Sequence, residues 1–169
     1  MWNIAILTVM IALTGFYSME GEKNAPVTQN VIARNLAESM AAYRQGTIKY
    51  ATDNTGVSGK VENSTLQNFF PTGYTNEFAK NWTNYIAPDG TIYIYPAAPL
   101  PVNITSELVK LSQNSILVGT AGAGSTLDAP ADIKNDNAGY VPPLNKISLP
   151  STLPDANLQS YPVWLAYRN

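Results

Sequence analysis

The sequence predicts an α+β protein: an apolar N-terminal helix, then a long amphipathic helix packed on an antiparallel sheet. Three observations carry this. Trp2 to Met19 holds no charged side chain, Pro26 to Asp53 repeats its apolar residues at helical spacing, and the period shortens to that of strands after Gly56.

The charge-free stretch MWNIAILTVMIALTGFYSM comes first. As a helix its 18 residues from Trp2 span about 27 Å, close to a hydrocarbon core of roughly 30 Å. Trp2 at one end and Phe16 and Tyr17 at the other resemble an aromatic belt. A cleaved signal wants basic residues before the apolar run and small residues at its end. Here the run starts at residue 2, and Gly15-Phe16-Tyr17-Ser18-Met19 matches such a site poorly. A retained membrane anchor over 1–19 is therefore preferred to a cleaved signal or a core helix. Residues 20–25 read as a polar linker, and 26–169 as one α+β soluble domain.

Pro26 suits the first turn of a new helix. From there Ile32, Leu36, Met40, Tyr43, Thr47 and Tyr50 step by four and three along one face, while Ala33, Ala37, Ala41 and Ala42 raise helix propensity. Asn54-Thr55-Gly56 supplies the stop. Pro71-Thr72-Gly73 reads as a turn. Asn81 to Ile86 and Thr91 to Tyr95 form a hairpin closed around Asp89-Gly90. Thr105 caps a short helix running to Gln113. Ser115 to Val118 is a short strand, Asp128 to Pro143 a long loop, and Lys146 to Leu149 and Val163 to Tyr167 are late strands.

Composition narrows the function. Net charge is −2 with no basic cluster, so binding to nucleic acid has little support. The chain has no Cys and no His. That removes thiol chemistry, Ser-His-Asp catalysis and Cys/His zinc sites, and leaves a packed core rather than disulfides to hold the fold. The glycine-rich run GTAGAGST follows a strand but lacks the Lys of a phosphate cradle, so it reads as a hairpin or surface loop. The 12 carboxylates form no distinctive local frame, and Asp132, Asp136 and Asn137 match a calcium loop only faintly. No catalytic, cofactor or metal site is assigned. Trp82, Tyr85, Tyr93, Tyr95, Trp164 and Tyr167 lie in predicted strands. Sheet packing is their ordinary role, and an aromatic strip facing a protein partner is the functional alternative.

The order of these segments carries a resemblance. An apolar start is followed by ARNLAESMAAYRQGTIKYA, GVSGKV, NWTNYIAPDGTIYIYP, SQNSILVGTA and a last strand with VWLAYR. This resembles the PilM family, small inner-membrane proteins of the type IVb thin-pilus systems used in plasmid conjugation. The resemblance implies a single-pass anchor in the bacterial inner membrane, a domain in the periplasm, and a part at the pilus base or pilin transport apparatus. It implies no enzyme activity and no cofactor. The expected partners are the membrane, other pilus-assembly proteins or pilins, and further copies of the chain, with no small-molecule substrate. Trp2, Phe16, Tyr17, Leu36, Met40, Tyr43, Trp82, Tyr93 and Tyr95 are the candidate interface residues. Charge alone leans the other way on orientation: Lys23 and Arg34 follow the span, and only the α-amino group precedes it.

The alternative is a minor pilin or pseudopilin built into the fibre. Such proteins also lay an N-terminal helix on an antiparallel sheet. Against it stand the missing basic leader, Gly processing site and early Glu, and the break expected at the linker and Pro26. A secreted or periplasmic enzyme using carboxylates is the remaining reading.

Overall fold

Helix α1 runs without interruption from Trp2 to Asp53 in the computed structural model. The structure describes residues 2–113, 115, 117–122, 126–128, 147–148 and 160–168, with side chains from 28 onward apart from 126, 128, 147 and 148. The segment 20–25, expected as a linker, is thus helical in backbone, and Pro26 lies inside α1. Glu20, Glu22, Lys23 and Ala25 are good helix formers. Proline removes one hydrogen bond from a helix, whereas a break would require a second costly nucleation. Among the described residues no helix is long and apolar enough to cross a membrane. The side chains of the expected anchor, 1–19, lie outside them.

The buried stripe of α1 is Ala33, Ala37, Met40, Tyr43, Thr47 and Ala51. Its centre matches the predicted face. Its ends do not: Ile32 is exposed, and Leu36 and Tyr50 are half-buried. Helix α4 (Thr105–Leu111) packs against α1 and draws small alanines inward there. Thr47 settles its buried hydroxyl by donating to the Tyr43 carbonyl at 3.0 Å. At the C-terminal end the Asn54 side-chain amide donates to the Tyr50 carbonyl at 2.9 Å, and Gly56 turns the chain with φ +94°.

Beneath α1 lies a fully antiparallel six-stranded sheet in the order β1-β2-β6-β3-β4-β5. The hairpin of β1 (Trp82–Ile86) and β2 (Thr91–Pro96) falls where the sequence put it, with Gly90 at φ +87°. In the turn, Asp89 accepts the Thr91 N–H at 2.9 Å, and hydrogen bonds from Thr91 hold its carboxyl below its ordinary value. β6 (Pro162–Tyr167) docks on β2 with Ile94 opposite Trp164. β3 (Val118–Gly122) and β4 (Thr126–Asp128) pair with Ala121 opposite Leu127, and β5 (Ile147–Ser148) closes the order.

Strand alternation sorts the side chains into two layers. Trp82, Ile86, Ile92, Ile94, Val118, Trp164 and Ala166 face α1 and share its core. Tyr93, Tyr95, Ala121, Leu127, Val163 and Leu165 form a second cluster on the other face. β2 is buried along its whole length, as expected of a strand apolar on both faces. Pro96 follows the last β2–β6 pair, so its missing N–H removes no ladder bond.

Between α1 and β1 the chain makes α2 (Asn63–Leu66), a 3-10 turn (Gln67–Phe69) and α3 (Asn76–Ala79). The expected turn at 71–73 closes with the Tyr74 N–H donating to the Pro71 carbonyl at 3.0 Å. Helix α4 is shorter than predicted, and the Asn103 carboxamide, not Thr105, accepts at its start, from the Thr105 N–H at 2.9 Å. The strand expected at 115–118 begins only at Val118 and runs on through the glycine-rich stretch. Most of the predicted loop 128–143 lies outside the described residues.

Candidate interaction surface

Most of the candidate interface residues are interior. Met40, Tyr43 and Trp82 are fully buried between α1 and the sheet with Leu36 half-buried beside them, and Tyr95 and Tyr93 are buried in the second cluster on the other face of the sheet. They do the packing of the sheet and of α1 within the domain. The reason is geometric: α1 crosses the sheet above β1, β2 and β6, so its stripe and the helix-facing aromatics close on each other. Trp2, Phe16 and Tyr17 belong to the part of α1 whose side chains lie outside the described residues.

A buried polar network fixes α1 against β1. The Tyr43 hydroxyl donates to Asn63 Oδ1 at 2.7 Å and accepts from Asn84 Nδ2 at 2.7 Å. Asn84 Nδ2 also donates to the Val61 carbonyl at 2.9 Å, its Oδ1 accepts the Val61 N–H at 3.0 Å, and Asn63 Nδ2 donates to the Ala79 carbonyl at 2.9 Å. Both donors of the Asn84 amide are used, as burial demands. Burial pushes the Tyr43 hydroxyl well above its ordinary value, so it stays a neutral donor. Trp82 Nε1 donates to Ser39 Oγ at 2.9 Å, and that oxygen lies 3.2 Å from the Tyr74 hydroxyl. Burial likewise pushes Tyr74 up to about 12.

From this network an aromatic row leads outward. Tyr43 meets Phe70 at 5.6 Å between centroids, Phe70 meets Tyr74 edge-on at 4.9 Å, and Tyr74 meets Phe78 at 5.9 Å. Phe78 is 52% exposed. On α1, residues 28–32 are all exposed, including Val31 at 53% and Ile32 at 38%. Leu111 and Tyr167 complete the large exposed apolar side chains among the described residues. A shallow groove of about 220 Å³ separates α1 from the start of α4, with Gln29, Asn30, Asn103, Ser106 and Glu107 on its walls. Arg44 lies 5.0 Å over the Trp164 ring and donates to the Leu165 carbonyl at 3.3 Å, pinning α1 to β6. Burial lowers its guanidinium from the ordinary value.

Three carboxylates are taken up by surface ion pairs: Glu38 with Arg34, Glu77 with Lys80 and Glu107 with Lys110. Among the described residues no group of three acidic side chains converges on a cation site. Asp132, Asp136 and Asn137 lie outside them. Gly119 and Gly122 stand in the β3 strand, and Gly122 pairs with Thr126 across the hairpin, so the backbone is spent on a ladder rather than curled around a phosphate.

The model of the PilM family matches residues 9–165, which takes in nearly all of α1 and the sheet through β6. The chain belongs to the PilM family. That places it in pilus biogenesis. No curated protein and no solved structure matches it.

Of the exposed residues, Tyr167 belongs to the aromatic set read from the predicted strands, whereas Val31 and Phe78 were not singled out by sequence. Val31 stands off the predicted stripe, which is the one local signal for it. Phe78 follows Asn76-Glu77 in a polar stretch that gives no face to read. The Asn63–Asn84 clamp carries no signal either, because asparagine is abundant throughout the chain.

Proposed function

We propose that this protein is a non-enzymatic, membrane-anchored assembly component of a type IVb conjugative thin pilus, acting at the pilus base or the pilin transport apparatus. The family match over 9–165 carries this reading. The charge-free stretch 2–19 supports an inner-membrane anchor, with the α+β domain in the periplasm. The domain's polar interior is committed to holding α1 on the sheet, and its exposed apolar groups at Val31, Ile32 and Phe78 suit contact with other pilus proteins. Deleting the coding gene is expected to abolish or sharply reduce pili and conjugation, and the full chain is expected to resist carbonate extraction from membranes. Normal pilus numbers in the deletion would sink the role, and release by carbonate would sink the anchor.

One observation favours a second reading. The uninterrupted helix Trp2–Asp53 on an antiparallel sheet is the layout of a pilin, without the break that the sequence suggests at 20–26. A minor pilin would appear in sheared fibres with its N-terminus trimmed by prepilin peptidase. An assembly component stays in the membrane fraction.

A further inference from the structure

β1 ends the sheet, and its outer edge is occupied by a strap of the chain's own backbone. The Ala87 N–H donates to Thr91 across the hairpin at 2.8 Å. By the alternation of an antiparallel ladder, Tyr85 and Thr83 also turn their backbone groups toward β2, and Trp82, Asn84 and Ile86 turn theirs outward. Gly59 takes both groups of Ile86: its N–H donates at 2.7 Å, and its carbonyl accepts at 2.9 Å. Two residues on, Val61 reaches the level at which a continuing strand would pair with the Asn84 backbone. Its N–H and carbonyl go instead to the Asn84 carboxamide, at 3.0 and 2.9 Å. Gly56 and Gly59, at φ +94° and +98°, bring the chain from the end of α1 back across this edge.

We propose that the strap 57–61 is an edge guard that keeps β1 from pairing with β1 of a second copy of the chain. An exposed strand edge invites pairing, and proteins blunt it with lysine, proline, bulges or a covering segment. Trp82-Thr83-Asn84-Tyr85-Ile86 contains no charge and no proline, so cover is the device this edge has. Its sequence is also self-complementary. An antiparallel pair centred on Asn84 sets Trp82 against Ile86 and Thr83 against Tyr85, pairings of β-prone side chains with no like charges opposed. The Asn84 carboxamide makes the guard specific, because it holds the strap by a side chain and not by the ladder that an incoming strand would use.

Two variants of the full chain in detergent test this. Asn84→Ala removes the side-chain clamp. Gly59→Ala strains the strap at its left-handed residue, where an added Cβ meets nothing within 4 Å, so it leaves the core untouched. Amide exchange at Gly59 and Val61 is expected to quicken roughly fivefold or more, the loss of an ordinary hydrogen bond. Light-scattering mass should then rise with concentration above that of the wild type under the same conditions, toward twice its value. If Asn84→Ala fails to fold, Gly59→Ala decides the matter. Freed strap amides with a mass equal to wild type at every concentration would overturn the proposal, and so would a rise in mass with those amides still protected.

Discussion

Gly46 sits in the interior of α1, buried, where the 3-10 turn comes closest to the helix. A Cβ placed there would lie 2.5 Å from Phe70 Cδ1, 3.1 Å from its Cε1 and 3.3 Å from the Phe69 carbonyl oxygen. Alanine in a helix interior is ordinarily better than glycine by about 0.5–1 kcal/mol. Overpacking a fitted site costs about 1–3 kcal/mol. Phe70 cannot swing aside freely, since its ring is held between Tyr43 and Tyr74, and such pairs contribute about 0.5–1.5 kcal/mol each. Gly46→Ala is therefore expected to lose about 1 kcal/mol net, a fall in Tm of about 2–4 °C for a chain of this size. Thermal and urea unfolding followed by near-ultraviolet circular dichroism measure it. Adding Phe70→Leu should recover part of the loss, because the two sites share one space. A Tm equal to or above wild type for Gly46→Ala alone would refute the close approach and leave helix propensity as the larger effect.

Tyr43→Phe removes a hydroxyl that serves Asn63 and Asn84 at once, leaving the buried Asn84 carboxamide and the half-buried Asn63 carboxamide each short of a partner; a loss of about 1–3 kcal/mol in urea unfolding is expected. Tyr74 is neutral in the fold up to about 12, above its ordinary 10.0. Its raised value contributes stability fully present below pH 10.0 and lost as pH rises through about 12, so unfolding free energy should fall across that interval while absorbance titration shows a late tyrosine. A Tyr74→Phe variant should lose one late-titrating tyrosine and keep that of Tyr43, which burial also raises. Ile32→Ser lies at an exposed position and should stay within about 0.5 kcal/mol of wild type, Phe78→Ser should lose about 0.5–1.5 kcal/mol with its Tyr74 ring contact, and each should reduce crosslinks from the chain to other pilus proteins in intact membranes.

Periodicity and turn chemistry made much of the fold legible. The helix over 26–53, the hairpin at Asp89-Gly90 and the strand ending at Tyr167 follow from spacing and punctuation that local sequence displays. The continuity of α1 through 20–25 was not legible. Gly21, Asn24 and Pro26 are weak helix residues, yet carrying one helix through them avoids a second nucleation. The inward turn of Ala33 and Ala37 in place of Ile32 depends on α4, which is 70 residues away in the chain, and no local pattern reports it. The aromatics that sequence offers as an interface are the ones large enough to fill a core. The apolar groups left exposed are set by tertiary placement, at Phe78 on a four-residue helix and Val31 off the main stripe.

The proposed role requires that this chain act from the membrane in making pili. The most direct measurement is complementation of a gene deletion, counting pili by electron microscopy with the full chain and with a chain lacking residues 1–19 supplied in trans. Pili should be lost on deletion, return with the full chain, and fail to return without the apolar stretch. Undiminished pili in the deletion strain, or full rescue by the shortened chain, would contradict it.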